Sequence, residues 1–200
     1  ISPREVSDIT DNVRDGVIPS RLKVSKSQRK TVLAVNWGKT LLKIGIVRRT
    51  EEEVKFIGQP RSVPSFILED SIQSLEQFVD KVVNESIETL RQAEIDIQQI
   101  NHMILAVPLS VRNGRILRVR SGLTVNLSGE HLDRFIQIDE AISKRMGGLP
   151  VYPVNDGDCQ ALSIGTYYGY RNVAVLRFGT TLAAGILDKE GDLILGVNEL

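Results

Sequence analysis

Cysteine, net charge and long apolar runs are what this sequence most conspicuously lacks. Its one cysteine, Cys159, excludes a disulfide framework and fits a reducing compartment, so a cytoplasmic location is expected. With only two histidines, His102 and His131, beside that cysteine, no zinc-type Cys/His cluster is present and no metal site is assigned. Twenty-five Lys and Arg balance twenty-five Asp and Glu, which gives no general argument for nucleic acid or an anionic membrane surface as partner. No apolar run approaches the roughly 20 residues of a membrane helix, and Ile1–Thr10 has no signal-peptide h-region. What is present is ordinary globular material. The 200 residues are 42% hydrophobic and 25% charged, enough to bury a core in one domain or two small ones.

Residues 1–30 stand apart as a partly basic N-terminal extension. Ser20–Lys30 carries five basic residues and no acid, a composition that suits a solvated linker or an arm touching nucleic acid. From Thr31 the pattern becomes regular. Val32–Val35 and Leu41–Val47 read as strands around a turn at Asn36–Thr40, hence a β-hairpin. A third strand is expected at Val54–Ile57, with Pro60–Pro64 as a loop. Leu68–Arg91 has apolar residues at helical spacing, and Asp70 with Gln73 resembles a capping pair. Met103–Val107 is a buried type of strand ended by Pro108, and Ile116–Val125 contains another strand. Glu130–Met146 reads as a second amphipathic helix with Leu132, Phe135, Ile136, Ile142 and Met146 on one side, stopped by Gly147–Gly148. A strand at Val151–Val154, a helix from about Cys159 to Tyr167, strands at Val173–Phe178 and Leu182–Leu187, and a hairpin turn at Asp188–Gly191 before Leu193–Leu195 complete the pass. Alternating strands and helices place the chain in the α/β class. A hairpin around a Gly-Thr turn occurs twice, which hints at two related lobes.

Four places carry candidate chemistry. Gly38 and Thr40 sit in the first turn, where backbone N–H groups and a hydroxyl suit phosphate oxygens and Lys39 adds a charge, although a glycine turn is by default only a turn. Asn155–Asp156 follows a buried strand. Asp156 suits a general base taking a proton from an alcohol, and equally suits a cap for the helix that follows. Gly179–Thr180–Thr181 repeats the character of the first turn. Glu199 lies near the end of the sequence. Cys159 reads as a small buried hydrophobe rather than a nucleophile, Trp37 as packing, and the two histidines as structural or exposed.

Taken in order, Asn36-Trp37-Gly38-Lys39-Thr40, the Pro108 loop, Val154-Asn155-Asp156 and Phe178-Gly179-Thr180-Thr181 resemble the ROK family of repressors and sugar kinases. That family belongs to the sugar kinase, actin and Hsp70 superfamily, and the resemblance runs from about Thr31 to Leu200. It implies a ribonuclease H-like, actin-like ATPase fold, with an N-terminal lobe over 31–153 and the start of a C-terminal lobe over 154–200. Gly38 and Thr40 match the first phosphate loop. Asn36 stands where the family's metal-supporting Asp belongs, and Lys39 replaces a second glycine. Asn155 and Asp156 match the family's Asn-Asp pair, in which the Asp is the base and the Asn contacts sugar. Asn126 and Glu199 resemble further sugar contacts. Gly179 and Thr180 match the second phosphate loop, while Thr181 and Ala183 depart from it and Gly185 returns. Only about 45 residues follow Asp156, too few for a second α/β lobe, so a truncated form is expected.

The resemblance implies an ATP- and Mg2+-dependent sugar kinase, glucokinase-like, with Asp156 as catalytic base. Gly38, Lys39, Thr40, Gly179, Thr180 and Thr181 would hold phosphates, and Asn126, Asn155 and Glu199 would hold sugar. The sequence assigns no structural zinc. The alternative is a non-catalytic sugar-sensing regulator, favoured by the departures at Asn36 and Thr181 and by the basic stretch before Lys30. The expected partners are a sugar and a second copy of the chain. Nucleic acid is expected only if a DNA-binding domain precedes Ile1, and no membrane is expected.

Overall fold

The computed structural model describes residues 30–38, 40–50, 54–65, 74–112, 114–118, 133–178 and 182–194. Strand β1 (Lys30–Trp37) buries every second residue, so Leu33, Val35 and Trp37 line one face. It pairs antiparallel with β2 (Leu41–Arg49), which pairs antiparallel with the edge strand β3 (Val54–Pro64). On its other side β1 pairs parallel with β4 (His102–Val107), and β4 pairs parallel with β7 (Val151–Asn155). The sheet order is therefore β3-β2-β1-β4-β7. A small antiparallel pair, β5 (Ser110–Arg112) and β6 (Arg115–Arg118), follows β4.

Parallel neighbours need long crossovers, and two helices supply them. Helix α1 (Leu75–Gln92) starts at Ser74, whose side chain accepts from the Gln77 N–H. Its residues Leu75, Phe78, Val79, Val82, Val83 and Leu90 recur at three and four and are all buried. Helix α2 (Ile138–Arg145) follows a 3-10 turn at Arg134–Gln137 and stops where Gly147 and Gly148 take positive φ. Both helices join the core with β1, β2 and β4. At its centre Trp37 and Phe78 lie 4.6 Å apart, and Phe135 is 5.5 Å from Phe78.

A second, smaller core lies beyond Asn155. Helix α3 (Asp156–Tyr168) packs on a sheet of β10-β9-β8, formed by β8 (Val173–Phe178), β9 (Leu182–Leu187) and β10 (Leu193–Ile194). Ala161, Leu187 and Leu193 are its fully covered residues. The approach is at backbone distance: a Cβ on Gly157 would stand 2.6 Å from the Ala184 carbonyl oxygen, and one on Gly185 2.5 Å from that of Gly157.

Several sequence expectations shift here. Asn36 and Trp37 belong to β1 rather than to the turn, and Pro60–Pro64 is strand rather than loop. Proline is tolerated there because β3 is an edge strand with no ladder beyond it. Helix α1 begins at Leu75 with Ser74 as cap, not at Leu68, and residues 66–73, with the Asp70–Gln73 pair, lie outside the described residues. In the second helix the 3-10 turn changes the angular register, so Ile138 is buried in place of Ile136, which is exposed. Helix α3 begins three residues before Cys159, because Asn155 caps it. Residues 1–29, 119–132 and 195–200 also lie outside the described residues.

Candidate active site

The parallel strands β1, β4 and β7 end on one edge of the sheet. Asn36 is opposite Ala106, and Val107 is opposite Asn155, so Gly38, Pro108 and Asp156 leave that edge side by side. Two strand spacings, roughly 10 Å, separate the first turn from Asp156. Ligands of open α/β sheets bind outside the carboxyl ends of the strands.

Asn155 fixes the backbone at this point. Its Oδ1 accepts from the Gly157 N–H at 2.8 Å and the Asp158 N–H at 3.3 Å, while its Nδ2 donates to the Leu109 carbonyl at 2.9 Å. One amide thus caps α3 and ties it to the loop after β4. The sequence expectation of a sugar contact falls on a side chain that is buried and engaged at both ends.

Asp156 is the first residue of α3 and only 6% exposed. Its Oδ2 accepts from Nη1 of Arg177 at the end of β8, and its Oδ1 is buried with no hydrogen-bond partner. Burial pushes the carboxyl above its ordinary range, and the Arg177 charge and the helix N–H groups pull the other way. Cys159, one turn on, has its thiol pushed up to about 12 by burial and by the carboxylates of Asp158 and Asp156. It is therefore a thiol, not a nucleophilic thiolate, at neutral pH.

The first turn is closed on itself. The Gly38 N–H donates to the Leu41 carbonyl, and a Cβ there would stand 3.0 Å from the same oxygen. Thr40 is exposed, and its carbonyl accepts from the Ser65 N–H. Trp37 is core. Lys39, Gly179, Thr180, Thr181, Asn126 and Glu199 lie outside the described residues, as does His131.

The structure thus brings Asn155, Asp156 and the Leu109 loop together, and adds Arg177, which sequence reasoning passed over. The signal was there: Val173, Val175 and Arg177 share one face of β8, and an arginine continuing an apolar face asks for an acidic partner. Among the described residues no group of three His, Cys, Asp or Glu side chains is placed to hold a metal, and no helix is long and apolar enough to cross a membrane.

This sheet order, with helices on the core face and a second hairpin sheet joined through α3, is the actin-like, ribonuclease H-like ATPase fold. Solved structures with that fold include the hexokinase of Schistosoma mansoni complexed with glucose, at 13% identity and a TM-score of 0.64 over 93% of this chain. Lmo2764 of Listeria monocytogenes, a candidate N-acetylmannosamine kinase, matches 84% of this chain at 22% identity and a TM-score of 0.51. A ROK family protein of Streptococcus pneumoniae in complex with sucrose matches 84% at 20% identity and a TM-score of 0.52. This chain spans 50%, 46% and 49% of the Listeria, Schistosoma and Streptococcus chains, about half of each. No protein-family model matches the sequence, and neither does any curated protein.

Proposed function

We propose that this chain is part of a ROK-type sugar kinase that phosphorylates a hexose or related sugar, with Asp156 as general base. The observation that carries this is a buried carboxylate at the carboxyl end of β7, on the same sheet edge as the Gly38–Thr40 turn, with one oxygen lacking a donor. Such an orphaned oxygen costs about 1–3 kcal/mol, and an acceptor hydroxyl would satisfy it. Asp156 orients that hydroxyl and takes its proton as the oxygen becomes nucleophilic, while Asn155 holds the backbone in place. Bound ATP with Mg2+ supplies the phosphoryl group. Gly38, Lys39, Thr40, Gly179, Thr180 and Thr181 are the residues we assign to the phosphates. Mg2+ usually keeps several waters and binds through substrate phosphates, so it would be carried to this edge by the phosphates of ATP, with no protein ligand assigned to it. Asn126 and Glu199 are proposed sugar contacts.

The same reading divides the chain into an extension at 1–30, an N-terminal lobe over 31–153 and the opening of a C-terminal lobe from 154 to 200. The two separate cores either side of Asn155 support that division. A cytoplasmic location and a homodimer belong to it as well.

A second reading has its own support. Asn36 is uncharged, the Gly38 N–H is spent on Leu41, and Asp156 is held by Arg177. These favour a sugar-sensing regulator that binds sugar without turning over ATP, with nucleic acid as a partner only if a DNA-binding domain precedes Ile1. Calorimetric titration of the complete protein with hexoses and amino sugars, with and without Mg-ATP, followed by an ADP-release assay, separates the two. Sugar-dependent ADP release supports the kinase, and binding without release supports the sensor.

A further inference from the structure

The geometry around Asp156 points to a latch, a deepening that rests on the reading of Asp156 as the group that meets the acceptor hydroxyl. Oδ2 is taken by the Arg177 guanidinium, and Oδ1 is covered from solvent. While the guanidinium is in place, neither carboxylate oxygen is open to an incoming hydroxyl. Asn155 pins the backbone on both sides through Gly157, Asp158 and Leu109, so α3 cannot swing out to expose the group. Gly157 and Gly185 leave no slack between α3 and β9. What can move is Arg177. We propose that Arg177 closes the site when no sugar is bound, and that an acceptor hydroxyl reaches Asp156 only by displacing the guanidinium.

The asymmetry of the pair makes this workable. The Asp156 side chain is 4% exposed and that of Arg177 34%. On release the guanidinium is rehydrated at the rim, whereas the carboxylate stays inside and needs a donor. Leaving a buried charge unpaired is strongly unfavourable, so the latch stays shut until a hydroxyl replaces the guanidinium N–H. Among the described residues Arg177 is the charged side chain acting on Asp156, and the nearby Cys159 thiol is neutral. Opening is thereby coupled to a polyhydroxylated ligand rather than to an apolar one.

Carboxyl footprinting with a carbodiimide and glycinamide on the complete protein, read at Asp156 by mass spectrometry, tests the latch without needing the natural sugar. Arg177→Gln is expected to raise Asp156 labelling at least fivefold over wild type. Arg177→Lys, which keeps the charge, is expected to raise it less, and the exposed Glu94 serves as control. Matching melting curves for the variants separate a local opening from unfolding. Equal labelling of Asp156 in wild type and Arg177→Gln overturns the latch. Absence of sugar-dependent ADP release in every form, with the labelling difference intact, removes the kinase reading and leaves Arg177 as a cover over Asp156 in the sugar-sensing reading.

Discussion

The proposed role of Asp156 sets two opposed demands, since a base must be ionised and this carboxyl is buried. Because burial holds its carboxyl above the ordinary value, the folded state binds its proton more tightly than the unfolded chain does. The stability from that proton is present below the unfolded value and is lost as pH rises through the folded one. At pH 7, above the unfolded value, burying this carboxyl is therefore a net cost. Asp156→Asn should melt at or above the wild-type temperature at pH 7, and thermal melts should show the difference closing as pH falls toward about 4. Asn155 behaves differently, because its amide serves three partners. Asn155→Ala removes a cap worth about 1 kcal/mol and leaves the Leu109 carbonyl unpaired, so urea unfolding should show a loss of about 2–3 kcal/mol. Cys159, with its thiol pushed up to about 12, should stay unmodified by iodoacetamide at pH 8 in the native protein and react once unfolded. The Asn155–Asp156 pair was legible from sequence because it closes a strand and opens a helix. Which of the two is the cap was not, since either residue type caps well; the fold gives that task to Asn155 and so spares Asp156.

At the scale of elements, alternation and periodicity carried most of the information. The β8 and β9 boundaries read from the sequence, Val173–Phe178 and Leu182–Leu187, are those of the structure. Only three residues separate them in sequence, and both strands are rich in aliphatic residues. The edge strand β3 was half missed because proline in a run normally argues against pairing, and only its position at the sheet's rim makes Pro60 and Pro64 acceptable. The 3-10 turn before α2 was invisible to a 3.6-residue template, which is why Ile136 was placed inside instead of Ile138. The α3–β9 contact was not legible either, since a glycine's sequence neighbours do not say what approaches it. Gly157→Ala and Gly185→Ala each bring a methyl group against backbone. Each should lower stability by about 1–3 kcal/mol in denaturant titration, with tryptophan fluorescence of Trp37 in the separate larger core reporting the cooperativity.

At the scale of the molecule, Asp156, the first residue after β7 of the larger sheet, pairs with Arg177 of the second hairpin sheet. The larger core, with the tilted rings of Trp37, Phe78 and Phe135 packed together at the end of β1, supports that edge. Phe78→Ala should cost about 3–5 kcal/mol and abolish ligand binding with it. The chain covers about half of the hexokinase and ROK structures that share its fold. Leu176, Phe178 and Leu182 are exposed on the outer face of β8 and β9. The fold class was readable from the order of four short motifs rather than from any one of them. The segments at 38–40 and 179–181, proposed to hold phosphate, depart in sequence from the loops of the family they resemble, so sequence alone left turnover open.

The most direct measurement is sugar-dependent ADP release by the complete protein and its Asp156→Asn variant across a hexose panel, with sugar affinity measured in parallel. If Asp156 is the base, the wild type releases ADP with at least one sugar, and the variant loses about 10²–10⁴-fold in rate while still binding that sugar. Release that is unchanged in Asp156→Asn would contradict that role outright.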